Sequence, residues 1–376
     1  MWFTDDQLEF RDTMRRVAAE RVAPVAAKMD DTDEFPEEIL KLFRELDLVQ
    51  LAVPEAYGGP GGDVTTICIA REEIAKGGSM AIATLAGQNN SLTLPVLQLG
   101  TDEQKQRFLP EFAKGAITCV AITEAEAGSS PADMKTKAVR NGDEWVINGT
   151  KVYITWGKLA SYCIVFARTG SERGEVSGFI VPLDAPGLTE ERHNIKLGQR
   201  GLPNVDLRFD DVRVPHESML GPEGKGLVTA LRGLHQNRPM MGAIALGGAQ
   251  AAFDLAVDFL KNRVQNGRPL TRHQGLRWKL AEMATEIEAA RGLIYRCAAE
   301  FDSGADIESV VMLSSMAKLY ASETAVKVTN ECVQLLGGAG YMHDLPAERY
   351  LRDARVTTIY EGTSEIQKNT IARELL

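Results

Sequence analysis

A chain of 376 residues, 44% hydrophobic and 25% charged, has ordinary globular composition and exceeds the size at which one core stops growing, so two or three domains are expected. Its formal net charge of −10 argues against nucleic acid or an anionic membrane as the main partner, though not against a local basic site. Five cysteines, Cys68, Cys119, Cys163, Cys297 and Cys332, are widely separated and lack zinc-type spacing, which argues against a disulfide framework or a bound metal.

The first residues show no basic segment followed by an apolar one, and no stretch approaches about 18 uninterrupted apolar residues. A cytoplasmic location without membrane insertion is expected. Residues 1–116 read as an all-α N-terminal domain. Thr4 and Gln7 have capping-box spacing, and Phe10, Met14 and Val17 follow at helical intervals. Pro36 fits a first helical turn ahead of a buried stripe of Ile39, Phe43 and Leu46. Gly58-Gly59-Pro60-Gly61-Gly62 predicts a loop. Residues 81–94, uncharged and mostly apolar, predict one helix buried on most sides, with Pro95 ending or kinking it.

Residues 117–224 change to strand texture. An Asn141-Gly142 turn signal precedes Trp145 and Ile147, and Val205, Leu207 and Phe209 alternate with polar residues. With the short apolar runs 162–167 and 178–183, this predicts a middle β-barrel or β-sandwich domain. Residues 225–376 return to helix. The segments 240–263, 274–301 and 307–336 are long, Ala-rich and free of proline, as in an antiparallel four-helix bundle. The fold class is therefore α+β multidomain, in the order α, β, α.

No GxGxxG, Walker A, HExxH or GxSxG motif is present, which removes the familiar nucleotide, zinc-protease and serine-hydrolase devices. Four other segments stand out. Residues 121–130 (Ala-Ile-Thr-Glu-Ala-Glu-Ala-Gly-Ser-Ser) form either an ordinary surface loop or one whose backbone N–H groups approach a planar or phosphorylated ligand. Tyr153-Ile154-Thr155-Trp156-Gly157 can pack its aromatics into a core or stack on a flat heterocycle. Residues 334–341 place three glycines after a long helix, a helix stop or a site of close cofactor approach. In Tyr360-Glu361-Gly362-Thr363-Ser364-Glu365, Glu361 precedes a helix start, where it answers the helix dipole or serves as a desolvated base.

Taken in order and spacing, these segments resemble the acyl-CoA dehydrogenase family, and the resemblance covers essentially the whole chain. Phe209-Asp210-Asp211-Val212-Arg213-Val214-Pro215, residues 221–226, Arg352-Asp353-Ala354-Arg355 and Ile359 to Gln367 also match. The resemblance implies FAD between the β domain and the C-terminal bundle. It implies Glu361 as the base removing the α-proton of a CoA thioester. It assigns Ile122, Thr123, Gly128 and Ser129 to the flavin loop, and Tyr153, Ile154 and Thr155 to a segment near flavin N5. Arg263, Gln265, Gln334, Gly337 and Gly338 would meet the FAD of a neighbouring subunit, and Thr363 and Glu365 would touch FAD after the base. Ser129, Arg238 and Gly362 fall on the substrate side.

The family pattern further implies a homotetramer, a trans-2-enoyl-CoA product and an electron-transferring flavoprotein as acceptor. Some members carry their base just before the arginine matched by Arg238; that position is Asn237, which cannot act as a carboxylate base. Ala125, Ser130, Tyr153, His235 and Asn266 depart from the usual residues of the pattern. The small or apolar residues Ile82, Ala83, Ala86 and Gly87 leave room for a branched or cyclic acyl group, with Asn89 and Asn90 as polar contacts. No arginine on that helix would hold a second carboxylate, which disfavours dicarboxylic substrates. The competing readings are an acyl-CoA oxidase and a non-enzymatic, DNA-associated flavin homologue, the latter opposed by the acidic composition.

Overall fold

Thr4 and Gln7 cap the first helix, α1 (Asp5–Val17), each side chain bonding the other's backbone N–H at 3.2 and 3.1 Å, in a computed structural model that describes residues 3–376. A π-helical turn at Ala18–Val22 leads into α2 (Ala23–Thr32), and α3 (Glu37–Glu45) starts directly after Pro36. Ile39 and Phe43 are buried as expected. Leu46 is not: it stands at the helix C-cap and is 42% exposed, while Leu48 and Val49 take the core positions. The helix α4 (Val64–Lys76) is buried along almost its whole length, including Arg71, Glu72 and Glu73.

The single helix expected over residues 81–94 is two pieces, α5 (Met80–Ala83) and α6 (Asn90–Leu99). The chain turns between them with Gly87 at φ +61°, a conformation glycine takes without penalty. Tertiary bonds replace the helical ladder there: Gly87 N–H donates to the Leu48 carbonyl at 2.7 Å and Asn89 Nδ2 to the Phe112 carbonyl at 2.8 Å. Pro95 neither ends nor begins the second piece but lies inside it. The following helix, α7 (Asp102–Ala113), has its own capping box from Thr101 and Gln104.

The middle region has eight strands: β1 (Thr118–Ala121), β2 (Lys137–Asn141), β3 (Glu144–Thr155), β4 (Tyr162–Arg168), β5 (Val176–Pro182), β6 (Leu188–His193), β7 (Asn204–Pro215) and β8 (Met219–Leu220). They hydrogen-bond in the order β6-β7-β3-β2-β4-β5-β8, with β1 running parallel to β4. The two halves of this sheet join through one pair, Lys137 with Arg168, as two faces around a shared apolar interior would. The β2–β3 hairpin turns on Gly142-Asp143, one residue later than the Asn-Gly reading, with Gly142 at φ +65°.

The C-terminal helices α8 (Gly226–Asn262), α9 (Gln274–Asp302) and α10 (Ile307–Leu336) pack along one another, and α4 lies against α8. Helix α8 begins well before residue 240 and carries Pro239 in its interior. Among the described residues it is the one helix apolar and long enough to cross a membrane, yet 72% of its most apolar window is buried inside the molecule. A short hairpin, β9 (Val264–Gln265) with β10 (Arg268–Pro269), follows it. The chain closes with α11 (Gly338–Tyr341), α12 (Ala347–Arg355) and α13 (Ser364–Leu375). All five cysteines are buried and free, and no metal-ligand cluster exists among the described residues.

Candidate active site

Glu361 occupies the turn between α12 and α13, in left-handed backbone at φ +55°. That region is sparsely used by residues with a Cβ, so the surroundings must hold it. Three interactions do. Gly362 follows at φ +88°, Gln367 Nε2 donates to the carbonyls of Glu361 and Gly362 at 3.1 and 2.9 Å, and Lys318 Nζ donates to the Gly362 carbonyl at 2.8 Å. Thr363 caps α13 by accepting from Ile366 N–H at 3.3 Å. The turn is fixed from both sides.

The Glu361 carboxyl points into the protein. Its Oε1 accepts from Asn237 Nδ2 at 3.0 Å, while Oε2 is buried without a protein partner. Burial pushes this carboxyl above its ordinary range, opposed by Arg71, the Asn237 bond, Lys318 and Arg238. Such a group is protonated more easily than a surface glutamate, which suits a carboxylate that must accept a proton near neutral pH. Among the described residues no protein group accepts from Glu361 N–H.

A ring of buried cations surrounds this carboxyl. Lys318 is 1% exposed, and burial pushes its ammonium down to about 8. Arg238 is 2% exposed; its Nη1 bonds Ser315 Oγ at 2.7 Å and His235 Nδ1 at 2.7 Å, and burial brings it down to about 10. A guanidinium can only donate, so His235 accepts at Nδ1 and stays neutral, pushed down to about 4 by burial and then by Arg238. Arg71, from α4, donates Nη1 to Asn237 Oδ1 at 3.3 Å. Lys318, Gln367 and Arg71 were not singled out in the sequence. The signal for Arg71 was there, as the first of three charges on an otherwise apolar helical stretch.

The residues expected to form the flavin loop follow β1. Glu124 is buried and anchors the loop, accepting from Lys151 Nζ at 2.8 Å and from the backbone N–H groups of Lys135 and Thr136 at 2.6 and 3.0 Å. Lys151 Nζ also donates to the Ile122 carbonyl at 3.1 Å, and Val152 N–H to the Thr123 carbonyl at 2.9 Å. Beyond this anchor Gly128 and Ser129 are exposed, and no heavy atom lies within 4 Å of a Cβ placed on Gly128. Tyr153, at φ +62°, projects outward and is 66% exposed; Ile154 is buried. Trp156 instead packs inward, edge-on to Phe35 with 5.0 Å between ring centroids. Thr155 Oγ1 accepts from Asn204 Nδ2 at 3.2 Å.

The remaining sequence candidates lie elsewhere. Arg263 and Gln265 are exposed at the far end of α8, roughly 39 Å along the helix from Asn237. Asn266 and Gly267, at φ +49° and +72°, are the two central residues of the β9–β10 hairpin, a role asparagine fills readily. Gln334, Gly337 and Gly338 are exposed at the end of α10, with nothing within 4 Å of a Cβ on either glycine. Glu365 is exposed in the first turn of α13. Asn89 belongs to the core, 0% exposed and tied to α7 through the Phe112 carbonyl. Arg71, meanwhile, supplies next to α5 and α6 the arginine that their own sequence lacks, bonding the Ala86 carbonyl at 2.9 Å.

Three family models match the chain in succession: the acyl-CoA dehydrogenase N-terminal domain over residues 4–116, the middle domain over 119–212 and the C-terminal domain over 224–376. An acyl-CoA dehydrogenase of Bacillus subtilis is 41% identical over 100% of this chain and 99% of its own length. A cyclohexane-1-carbonyl-CoA dehydrogenase of Geobacter metallireducens is 42% identical over 97% of this chain and 96% of its own. Among solved structures, butyryl-CoA dehydrogenase from Megasphaera elsdenii superposes with a TM-score of 0.95 at 36% identity, covering 99% of this chain and 98% of that one.

Proposed function

The chain belongs to the acyl-CoA dehydrogenase family of FAD-dependent oxidoreductases, and from that premise we propose that it converts an acyl-CoA thioester to the trans-2-enoyl-CoA with Glu361 as base. The observation that carries this reading is the asymmetry of one carboxyl. Oε1 is held by Asn237, Oε2 is buried and unpartnered, and the backbone N–H of the same residue has no protein acceptor among the described residues. Oε2 takes the α-proton. The N–H donates to the thioester carbonyl, where enolate charge develops. Gln367 and Lys318 hold the neighbouring carbonyls and so keep that N–H turned toward the substrate.

The residues present fit a flavin. The open backbone at Gly128 and Ser129 and the Thr123 hydroxyl follow β1, the exposed Tyr153 ring and the Thr155 hydroxyl lie at the end of β3, the bond from Val152 N–H to the Thr123 carbonyl ties the two segments together, and Thr363 and Glu365 follow the base. When bound, FAD supplies the acceptor for the β-hydrogen. Ile122, Thr123, Gly128, Ser129, Tyr153, Ile154, Thr155, Thr363 and Glu365 would hold it. Ser129 and Gly362 would contact the substrate, and Arg238, being buried, acts on the CoA side through its charge. The electron acceptor is an electron-transferring flavoprotein, and the location cytoplasmic.

Small buried residues on α5 and the tight turn at Gly87 favour a branched or cyclic acyl group, and the Geobacter relative names a cyclic one. Anaerobic flavin bleaching by butyryl-, isobutyryl- and cyclohexane-1-carbonyl-CoA ranks these choices. Glu361→Gln is expected to slow bleaching about a hundredfold or more. Undiminished bleaching would remove Glu361 as the base, and rapid peroxide formation in air would replace the dehydrogenase with an oxidase.

A further inference from the structure

Helix α4 buries three consecutive charges, Arg71, Glu72 and Glu73, at 4, 6 and 5% exposure. Buried charges normally persist where they are paired. Glu72 meets that demand, accepting from Arg291 at 3.0 Å and from the Tyr295 hydroxyl at 2.6 Å. Glu73 meets it through Arg15 at 2.9 Å. Arg71 does not: among the described residues it has no ion pair. Its acceptors are all neutral, namely the Ala86 carbonyl at 2.9 Å, Asn237 Oδ1 and Met241 Sδ at 3.3 Å each, and the Gly87 carbonyl at 3.5 Å. The first carboxylate reached along these bonds is Glu361, through Asn237.

The order of donors in this chain has one consistent solution. A guanidinium has no acceptor atom, so the asparagine beside it must turn its oxygen toward Arg71. Its Nδ2 then faces Glu361. The flipped amide would set NH2 against guanidinium and oxygen against carboxylate, two repulsive contacts in a buried place. We propose that Arg71 is a positioning residue for the active carboxyl: it locks Asn237 in the orientation that anchors Glu361 Oε1 and thereby leaves Oε2 as the proton-accepting oxygen. The last step rests on Glu361 being the base; the lock itself does not.

The other ionisable groups facing Glu361 are Arg238 from α8, Lys318 from α10 and the neighbouring Tyr360 hydroxyl. Lys318 donates to the Gly362 carbonyl and Arg238 Nη1 to Ser315 and His235, and among the described residues Asn237 alone hydrogen-bonds the carboxyl. Burial raises Glu361, and Arg71 leads the groups that pull it back, ahead of the Asn237 bond. A residue that only supported the α5–α6 turn through the Ala86 and Gly87 carbonyls would affect stability without moving that titration.

Infrared difference spectra of the holoenzyme, wild type minus Glu361→Gln, isolate the Glu361 carboxyl stretch and follow it against pH. Arg71→Met should raise the midpoint by about one unit or more, and Asn237→Ala should move it in the same direction. The double variant should move it by less than the two shifts together, because one residue acts through the other. Arg71→Lys, which keeps the charge but loses the planar fork, should give a smaller rise and serves if Arg71→Met does not retain flavin. An unmoved midpoint in the Arg71 variants, or fully additive shifts, overturns the lock. The acid limb of anaerobic bleaching by butyryl-CoA should follow the same midpoints. If the infrared midpoint moves while Glu361→Gln bleaches at full rate, the lock stands and the assignment of the base falls.

Discussion

Glu361 was legible in the sequence because its chemistry and its neighbours are written consecutively, from Tyr360 to Glu365. How it is supported was not legible, because Asn237, Lys318, Gln367 and Arg71 come from four different helices and their mutual contacts form only after folding. Two consequences belong to single residues. Gly362 combines φ +88° with Gln367 Nε2 only 2.7 Å from where a Cβ would stand. Gly362→Ala should therefore cost about 1–3 kcal/mol and disturb the Glu361 N–H, seen as a lower Tm and slower bleaching together. Lys318 has its pKa pushed down to about 8 by burial from 10.5, so between those values the unfolded chain binds more protons than the folded one. Stability from this residue rises as pH increases from 8 to 10.5, and below 8 the burial cost is present in full. Lys318→Met should flatten that rise in urea titrations compared at pH 7 and 9.5, and Gly362 O would still keep its bond from Gln367.

At the scale of elements, periodicity predicted burial better than it predicted where helices break. Residues 81–94 are buried except for the half-buried Ser91 and Leu94, as their composition requires, yet the helix is interrupted because Leu48 and Phe112 offer carbonyls to the turn. No local pattern announces partners 23 or more residues away. The same blindness shortened α8, expected over residues 240–263: the helix starts at Gly226 and runs through Pro239, packed against α4 and α10. The interrupted turn yields its own prediction. A Cβ on Gly87 would lie 3.1 Å from Ile67 Cγ2, in left-handed backbone at φ +61°. Gly87→Ala should lower stability by about 1–2 kcal/mol and should change the ranking among straight, branched and cyclic acyl-CoAs, since the turn lies between α5 and α6. An unchanged ranking with lowered stability would remove this turn from the acyl pocket.

For the molecule as a whole, the α, β, α order could be read from texture because each region keeps its own hydrophobic period over a hundred residues or so, while the assembly could not, since one chain records only its own contacts. The exposed residues at the ends of α8 and α10 nevertheless constrain that assembly. Arg263, Gln265, Gln334, Gly337 and Gly338 are exposed at the ends of these helices, Arg263 roughly 39 Å along α8 from Asn237, so the cofactor contacts proposed for them require a second copy of the chain. Gly338 makes this testable without confusion from folding. Its backbone is not left-handed, and nothing lies within 4 Å of an added Cβ, so Gly338→Leu costs the single chain little. If a second copy's FAD approaches there, the variant should keep its circular dichroism spectrum yet lose flavin on gel filtration and lose tetramer mass by light scattering. Full flavin content and unchanged mass would mean that the glycine turn faces solvent and that the second cofactor lies elsewhere. Loss of flavin and mass would report on something outside the chain itself, because within it Gly338 is exposed and an added Cβ meets no neighbour.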